Sequence, residues 1–293
     1  MRKLGDRYQR TLSRPAEVCG VGFLTGAMVR LAFHPAPPDS GIVFIRTDVR
    51  PEARIPARFD RVVGTQRRTT LGEGPLQVAL VEHALAALAG LRIDNCKVLV
   101  NAGEAPGLDG SAGQFVEALQ SAGAVLQPAR QSIWGVADPV VVAAGGATIT
   151  LYPAEADQLV ISYYLDFGTD SPIHRQLHTQ AITPESFANN LACCRTFLLE
   201  SEAIELRKQG LGPRTTVSDL LVIGPRGPID NSYRCADELA RHKVLDIVGD
   251  LALFGHDLRG HLVAYRSGHP LNAELVRTLA ARMGRSAPRR QAA

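Results

Sequence analysis

From Val78 to Gly90 the chain reads Val-Ala-Leu-Val-Glu-His-Ala-Leu-Ala-Ala-Leu-Ala-Gly, and only Glu82 and His83 interrupt the apolar run. A segment apolar on nearly every face belongs inside a core, because no side of it suits water. The pattern predicts a buried helix over 75–89, ended by Gly90. A charged carboxylate buried there without a partner is strongly unfavourable, so something must compensate Glu82. A lone histidine in such a place reads as a core residue with a satisfied ring. An adjacent Glu-His pair shifts the balance toward a functional site.

A second helix is predicted over Asp237 to Phe254, stopped by Gly255. On it His242, Asp246 and Asp250 recur at steps of four and share one stripe, while Val244, Ile247, Val248 and Leu251 form an apolar face. Alone, the stripe fits a solvated face carrying a His–Asp pair. It also offers a two-ligand arm for zinc. Catalytic zinc usually takes three protein ligands and keeps one position open, and His83 with His242 and Asp246 meets that count. Glu82, beside His83, is then the carboxylate placed to take a proton from water. The logic is that of the H-E-x-x-H zincins, although that motif is absent. A third patch, Arg266-Ser-Gly-His269, places a histidine after a glycine at a loop or strand end. It reads either as a surface histidine or as an imidazolium that stabilises an oxyanion or protonates a leaving amine. His34, His174, His178, His256 and His261 are left as surface or structural residues.

With 293 residues the chain has room for two domains. Alternating runs predict strands and hairpins over residues 11–50, and Gly20 to Gly26 reads as a strand-to-strand turn. Cys96 to Asn101 predicts a short buried strand. Asp109-Gly-Ser111 predicts a cap for a helix over Ala112 to Ala122. The polar stretch Gln127 to Gln131 is placed as a boundary between an N-terminal domain over 1–126 and a C-terminal domain over 132–285. Strands follow around Val140–Val142, Thr148–Tyr152, Leu159–Leu165 and Leu262–Arg266, with helices at Pro184–Leu191, Glu202–Lys208 and Asn272–Met283. The residues from Ser286 to Ala293 read as a disordered tail. The two halves echo each other faintly, without a clear sequence repeat. Strands followed by helices in each half predict an α+β fold rather than a parallel Rossmann sheet.

A net charge of +3 argues against nucleic acid as a partner, even with Arg282, Arg285, Arg289 and Arg290 near the C-terminus. The five cysteines are scattered, without a C-x-x-C pair, which argues against a disulfide framework or a cysteine zinc site. A polar, basic start and the lack of a long apolar run predict no secretory signal and no membrane span, hence a cytoplasmic protein. Nothing signals an oligomer, and a monomer is the default.

The motifs together resemble the UDP-3-O-acyl-N-acetylglucosamine deacetylase family, the zinc amidases of lipid A biosynthesis. The likeness runs from about Gln9 to Asn272. Its segments are Gln9-Arg-Thr-Leu, Gly20-Val-Gly, Arg46-Thr-Asp, Thr69-Thr-Leu-Gly, Val81-Glu-His-Ala-Leu-Ala-Ala-Leu-Ala-Gly, Ile93-Asp-Asn, Leu108-Asp-Gly-Ser-Ala, Arg195-Thr-Phe, Arg241-His-Lys-Val-Leu-Asp-Ile-Val-Gly-Asp-Leu and Ser267-Gly-His. The resemblance implies one Zn2+ per chain (Fe2+ being the other candidate) on His83, His242 and Asp246. It implies Glu82 as general base, His269 as stabiliser or acid oriented by Asp250, and Thr196 as an oxyanion donor. Lys243 and Phe197 would contact substrate and Phe167 would stack on uracil. It further implies two similar domains, each a layered β-sheet packed on helices, with the site between them and an acyl-tunnel insert over about 198–225. The partner would be a UDP-linked acylated amino sugar. Leu24 stands where the family usually has His, Ala79-Leu80 where it has Ser-Thr, and the neutral stretch at 144–147 where it has a basic residue. Gly212-Pro-Arg-Thr-Thr216 replaces its Gly-Gly-Ser. The other readings are a paralogue acting on another N-acyl sugar and a binding module without turnover.

Overall fold

A computed structural model of the chain describes residues 1–49, 53–153 and 157–286. The tail expected over 286–293 lies outside these residues, apart from Ser286, which ends the last helix. Among the described residues the fold is α+β, with several sheets packed on six helices: α1 (Glu82–Gly90), α2 (Gly113–Ala122), the single turn α3 (Pro184–Ser186), α4 (Glu200–Lys208), α5 (Glu238–Leu251) and α6 (His269–Ser286).

Two five-stranded sheets frame the molecule. In spatial order the first runs Ala16–Val21, Met28–Pro35, Cys96–Val100, Ile42–Arg46, Arg54–Pro56. The second runs Val140–Ala144, Ala147–Tyr152, Gly260–Tyr265, Leu159–Leu165, Gln176–Ala181. Numbered by sequence within each half, both orders are first, second, fifth, third, fourth. In both, the third and fifth strands are parallel and every other neighbour pair is antiparallel. The faint echo between the halves is therefore a shared topology, which a sequence can lose while its hydrophobic pattern persists. In each half a helix precedes the fifth strand (α1, α5) and another follows it (α2, α6). α1 packs on α2, α5 packs on α6, and the halves meet where α1 lies against α5.

Strand alternation drives each sheet onto its helices. In Met28–Pro35, Val29, Leu31 and Phe33 are fully buried while Met28 and Arg30 face out. α1 is apolar all round and sits in the middle of the core, with Leu85 and Leu88 fully buried. Each such leucine contributes about 1.5–3 kcal/mol relative to exposure.

Several expectations need correction. The helix predicted over 75–89 covers only Glu82–Gly90: Leu76–Ala79 is a strand paired with Thr70–Glu73. Leu80 then turns at φ +58, a left-handed conformation that neither strand nor helix continues through, and the helix starts at Glu82. An apolar run of that length carries no periodicity by which the two elements separate. Gln127 to Gln131, where the boundary was placed, lies inside the strand Ala124–Gly135, paired with Arg2–Leu12 and, at its end, with Asp257–Leu258. Its polar side chains reflect a ribbon lying at the junction of the halves. Pro184–Leu191 is one α-turn continued by a π-turn over Phe187–Leu191. The second helix begins at Gly113. Its first amide is met by the Ser111 hydroxyl, which is itself bonded to Asp109. Among the described residues no helix is long and apolar enough to cross a membrane.

Candidate metal centre and active site

The close approach of α1 and α5 brings His83 together with His242 and Asp246. Candidate ligand atoms of the three lie within 4.8 Å of one another. His83 Nε2 is 3.8 Å and His242 Nε2 3.4 Å from Asp246 Oδ1, and the two rings meet edge to face at 5.1 Å. The His242 Nδ1–H donates to the Cys194 carbonyl at 3.0 Å, which leaves Nε2 as the free ligand atom. Lys243 donates to Asp246 Oδ2 at 2.7 Å, whereas Oδ1 is buried without a hydrogen-bond partner. A buried orphan carboxylate oxygen facing two imidazole nitrogens is what a cation would satisfy.

The electrostatics agree. Burial, together with the neighbouring His242, holds His83 down to about 3, so it is a neutral, ligand-ready imidazole. Burial lowers His242 as well. Burial opposes the charge of Asp246, yet His242, Lys243 and His269 outweigh it and keep the group well below the ordinary carboxylate range. Lys243 is raised to about 12, because Asp246 more than offsets its burial. The residues present thus fit a divalent ion with one carboxylate and two neutral imidazoles.

Glu82 opens α1 beside His83 and is almost wholly buried. Burial pushes its carboxyl up to about 7, with Asp246 and Asp250 adding to the shift and His269 opposing it. Its Oε2 accepts the Thr69 N–H at 3.1 Å. His269 is the first residue of α6, so the expected loop position is a helix start. Its Nδ1 lies 2.8 Å from Asp250 Oδ2. Burial works against its charge, but Asp250, through both charge and hydrogen bond, drives it up to about 9. Asp250 also accepts from Thr69 Oγ1 at 2.6 Å and Asn272 Nδ2 at 2.8 Å. Thr69 and Asn272 therefore belong to the site, although neither had been singled out. Both stand in or beside motif segments, but a hydroxyl or amide carries no spacing signal of its own.

The stripe His242, Asp246, Asp250 is buried rather than solvated, because the first half covers it. Thr196 enters from a loop and Phe197 from the start of the strand Phe197–Leu199 that follows it. A buried Arg195–Glu238 pair, with Nε–Oε1 at 2.8 Å, pins that loop to the first turn of α5. Phe197 lies 6.3 Å from the His242 ring and 5.9 Å from Phe167, and the Lys243 ammonium sits 5.5 Å from its centroid. Glu82, His83, Phe167, Thr196, Phe197, Lys243, Asp246 and His269 line one cavity of about 720 Å³. The segment expected as an insert lines it with an apolar wall of Leu198, Ala203, Leu206, Leu220 and Val222, and also contributes Glu200, Glu202 and Arg207. The neutral stretch at 144–147 forms a hairpin tip, with Ala144 opposite Ala147 and both Gly145 and Gly146 at positive φ.

A family model described as UDP-3-O-acyl N-acetylglycosamine deacetylase matches residues 9–281. The chain is 39% identical over 271 residues to the UDP-3-O-acyl-N-acetylglucosamine deacetylase of Myxococcus xanthus (strain DK1622), covering 92% of this chain and 85% of that one. It is 37% identical over 273 residues to the protein of the same name from Geobacter sp. (strain M21), covering 93% and 88%. With that of Syntrophotalea carbinolica it shares 34% over 275 residues, covering 94% and 88%.

Proposed function

The chain belongs to the UDP-3-O-acyl N-acetylglycosamine deacetylase family, and on that premise we propose that it hydrolyses the N-acetyl amide of UDP-3-O-acyl-N-acetylglucosamine in lipid A biosynthesis. It is a hydrolytic deacetylase of a metalloenzyme family. The metal is zinc, with iron(II) as the alternative occupant, held by His83, His242 and Asp246. A divalent ion there supplies Lewis acidity to a carbonyl oxygen and acidifies water.

The chain's own groups divide the proton transfers. Glu82, ionised, takes a proton from the water that adds to the acetyl carbon. The Thr196 hydroxyl and the His269 imidazolium donate toward the oxygen that gains charge. As the C–N bond breaks, the nitrogen takes a proton from the acid, His269, and acetate and the free amine leave. Asp250 keeps the His269 ring oriented through Nδ1. Lys243 and Phe197 hold the sugar, Phe167 offers its half-exposed ring to the uracil, and the apolar wall receives the acyl chain.

The observation that carries this reading is the sharing of one cavity by Glu82, raised to about 7, and His269, raised to about 9, beside the ligand set. Near pH 8 one is a base and the other an acid, as amide hydrolysis needs and a pure binding module does not. The test is acetate release from the acylated UDP-sugar by the zinc-loaded protein, with Glu82→Ala and His269→Ala as controls. Turnover that collapses in both variants is expected. Turnover confined to non-acylated or non-uridine sugars would overturn the substrate assignment.

A further inference from the structure

We infer that Thr69 is a positioning residue that holds the general base and the acid in one fixed relationship; this rests on the deacetylase reading above. Thr69 immediately precedes the strand Thr70–Glu73 and is fully buried. Every polar group it owns is engaged at the site. Its N–H donates to Glu82 Oε2 at 3.1 Å. Its carbonyl accepts the N–H of Val81, the residue before Glu82, at 3.4 Å. Its hydroxyl lies 2.6 Å from Asp250 Oδ1 and 3.3 Å from His269 Nδ1.

The hydroxyl has a single hydrogen, and the Asp250 carboxylate only accepts, so that hydrogen goes to Oδ1. A lone pair of the same oxygen then faces the His269 Nδ1–H, whose main acceptor is Asp250 Oδ2 at 2.8 Å. Asn272 and His269 both sit on Oδ2, which leaves Thr69 as the partner of Oδ1 among the described residues. The carboxylate is thereby gripped at both oxygens and cannot rotate, and the His269 ring keeps its Nε2 edge for the cavity. The main chain of the same residue grips the base. One residue from the first half thus spans two proton-transfer groups drawn from α1 and α6.

Two substitutions separate this role from plain packing. Thr69→Val keeps shape and both main-chain bonds but removes the hydroxyl; Thr69→Ser keeps the hydroxyl. Acetate release, bound zinc and thermal unfolding are measured for both, and for Thr69→Val combined with His269→Ala. We expect Thr69→Val to lower kcat about ten- to a hundredfold, the scale of a small misplacement of reacting groups. KM and the single bound zinc should be unchanged, since Thr69 touches neither ligands nor acyl wall. Thr69→Ser should recover kcat to within about threefold of the parent, and in the His269→Ala background Thr69→Val should cost little more, because residues acting as one unit are not additive. A Thr69→Val enzyme with parental kcat, or one whose loss persists undiminished without His269, would overturn the inference. A parent chain that releases no acetate would instead remove the deacetylase reading on which it stands.

Discussion

Gly249 lies so close to Glu82 that a methyl group on its Cα would stand 2.2 Å from the Glu82 carbonyl oxygen and 3.0 Å from the carbonyl carbon. The obstacle is main chain, which no rotamer change relieves. This contact sets how near α5 can approach α1, and so whether His83 meets His242 and Asp246. Gly249→Ala should therefore cost about 1–3 kcal/mol by overpacking and weaken the metal centre at the same time. Thermal unfolding and metal stoichiometry on one preparation test this; a variant that keeps full stability and full metal would refute the role given to the glycine.

The pH dependence follows from the two raised groups. A base must be ionised, so activity rises with pH as Glu82, pushed up to about 7, loses its proton. An acid must be protonated, so activity falls as pH passes through the value of His269, about 9. The kcat/KM profile should be a bell whose limbs report the coupled pair. His269→Ala should flatten the alkaline limb and move the acid one to higher pH, since the His269 charge opposes the rise of Glu82. An alkaline limb that survives in that variant would assign it to another group.

Metal removal should destabilise as well as inactivate. An ion that binds only the folded chain adds about 2.7 kcal/mol when present at about a hundred times its Kd. Asp246→Asn keeps the shape but removes the charge that faces both imidazoles and Lys243. The unfolding temperature of the parent chain should rise on adding zinc to the stripped protein, and that of Asp246→Asn should not. An equal rise in both would point to zinc bound elsewhere.

Arg7 joins the halves away from the chemistry. Its guanidinium is bidentate to Asp94, with 2.7 and 2.8 Å contacts, and to Asp257, with 2.5 and 2.8 Å contacts. Arg7→Leu strands two carboxylates in a partly buried place and should cost about 2 kcal/mol, between the surface and buried limits for ion pairs. At a temperature where the variant stays folded, kcat should be that of the parent. A matching loss of kcat would mean that the junction transmits to the site.

The chemistry of the site was largely legible in the chain. The Glu-His pair in an apolar run, the four-residue stripe on α5 and the Ser-Gly-His segment named the ionisable groups that come together at the site, because carboxylates and imidazoles stand out where apolar side chains surround them. Element boundaries were less legible where hydrophobicity was continuous, so Leu76–Ala79 read as helix although its partner Thr70–Glu73 makes it strand. Gln127–Gln131 read as a boundary because polar side chains on a strand and on a connection look alike in one dimension, although both neighbours of Ala124–Gly135 make it a strand. The roles of Thr69 and Asn272 were not legible, although both stand in or beside motif segments: their importance lies in which carboxylate they meet.

The chain by itself determined what the site is made of and which segments had to be buried, since burial is a property of local composition and period. Only the tertiary structure decided that two halves with one strand order would face each other through α1 and α5. It also decided that Gly249 would let those helices touch, and that one threonine would reach both Glu82 and Asp250. Those outcomes depend on distances between residues far apart in the chain, and long-range packing, not local preference, sets such distances.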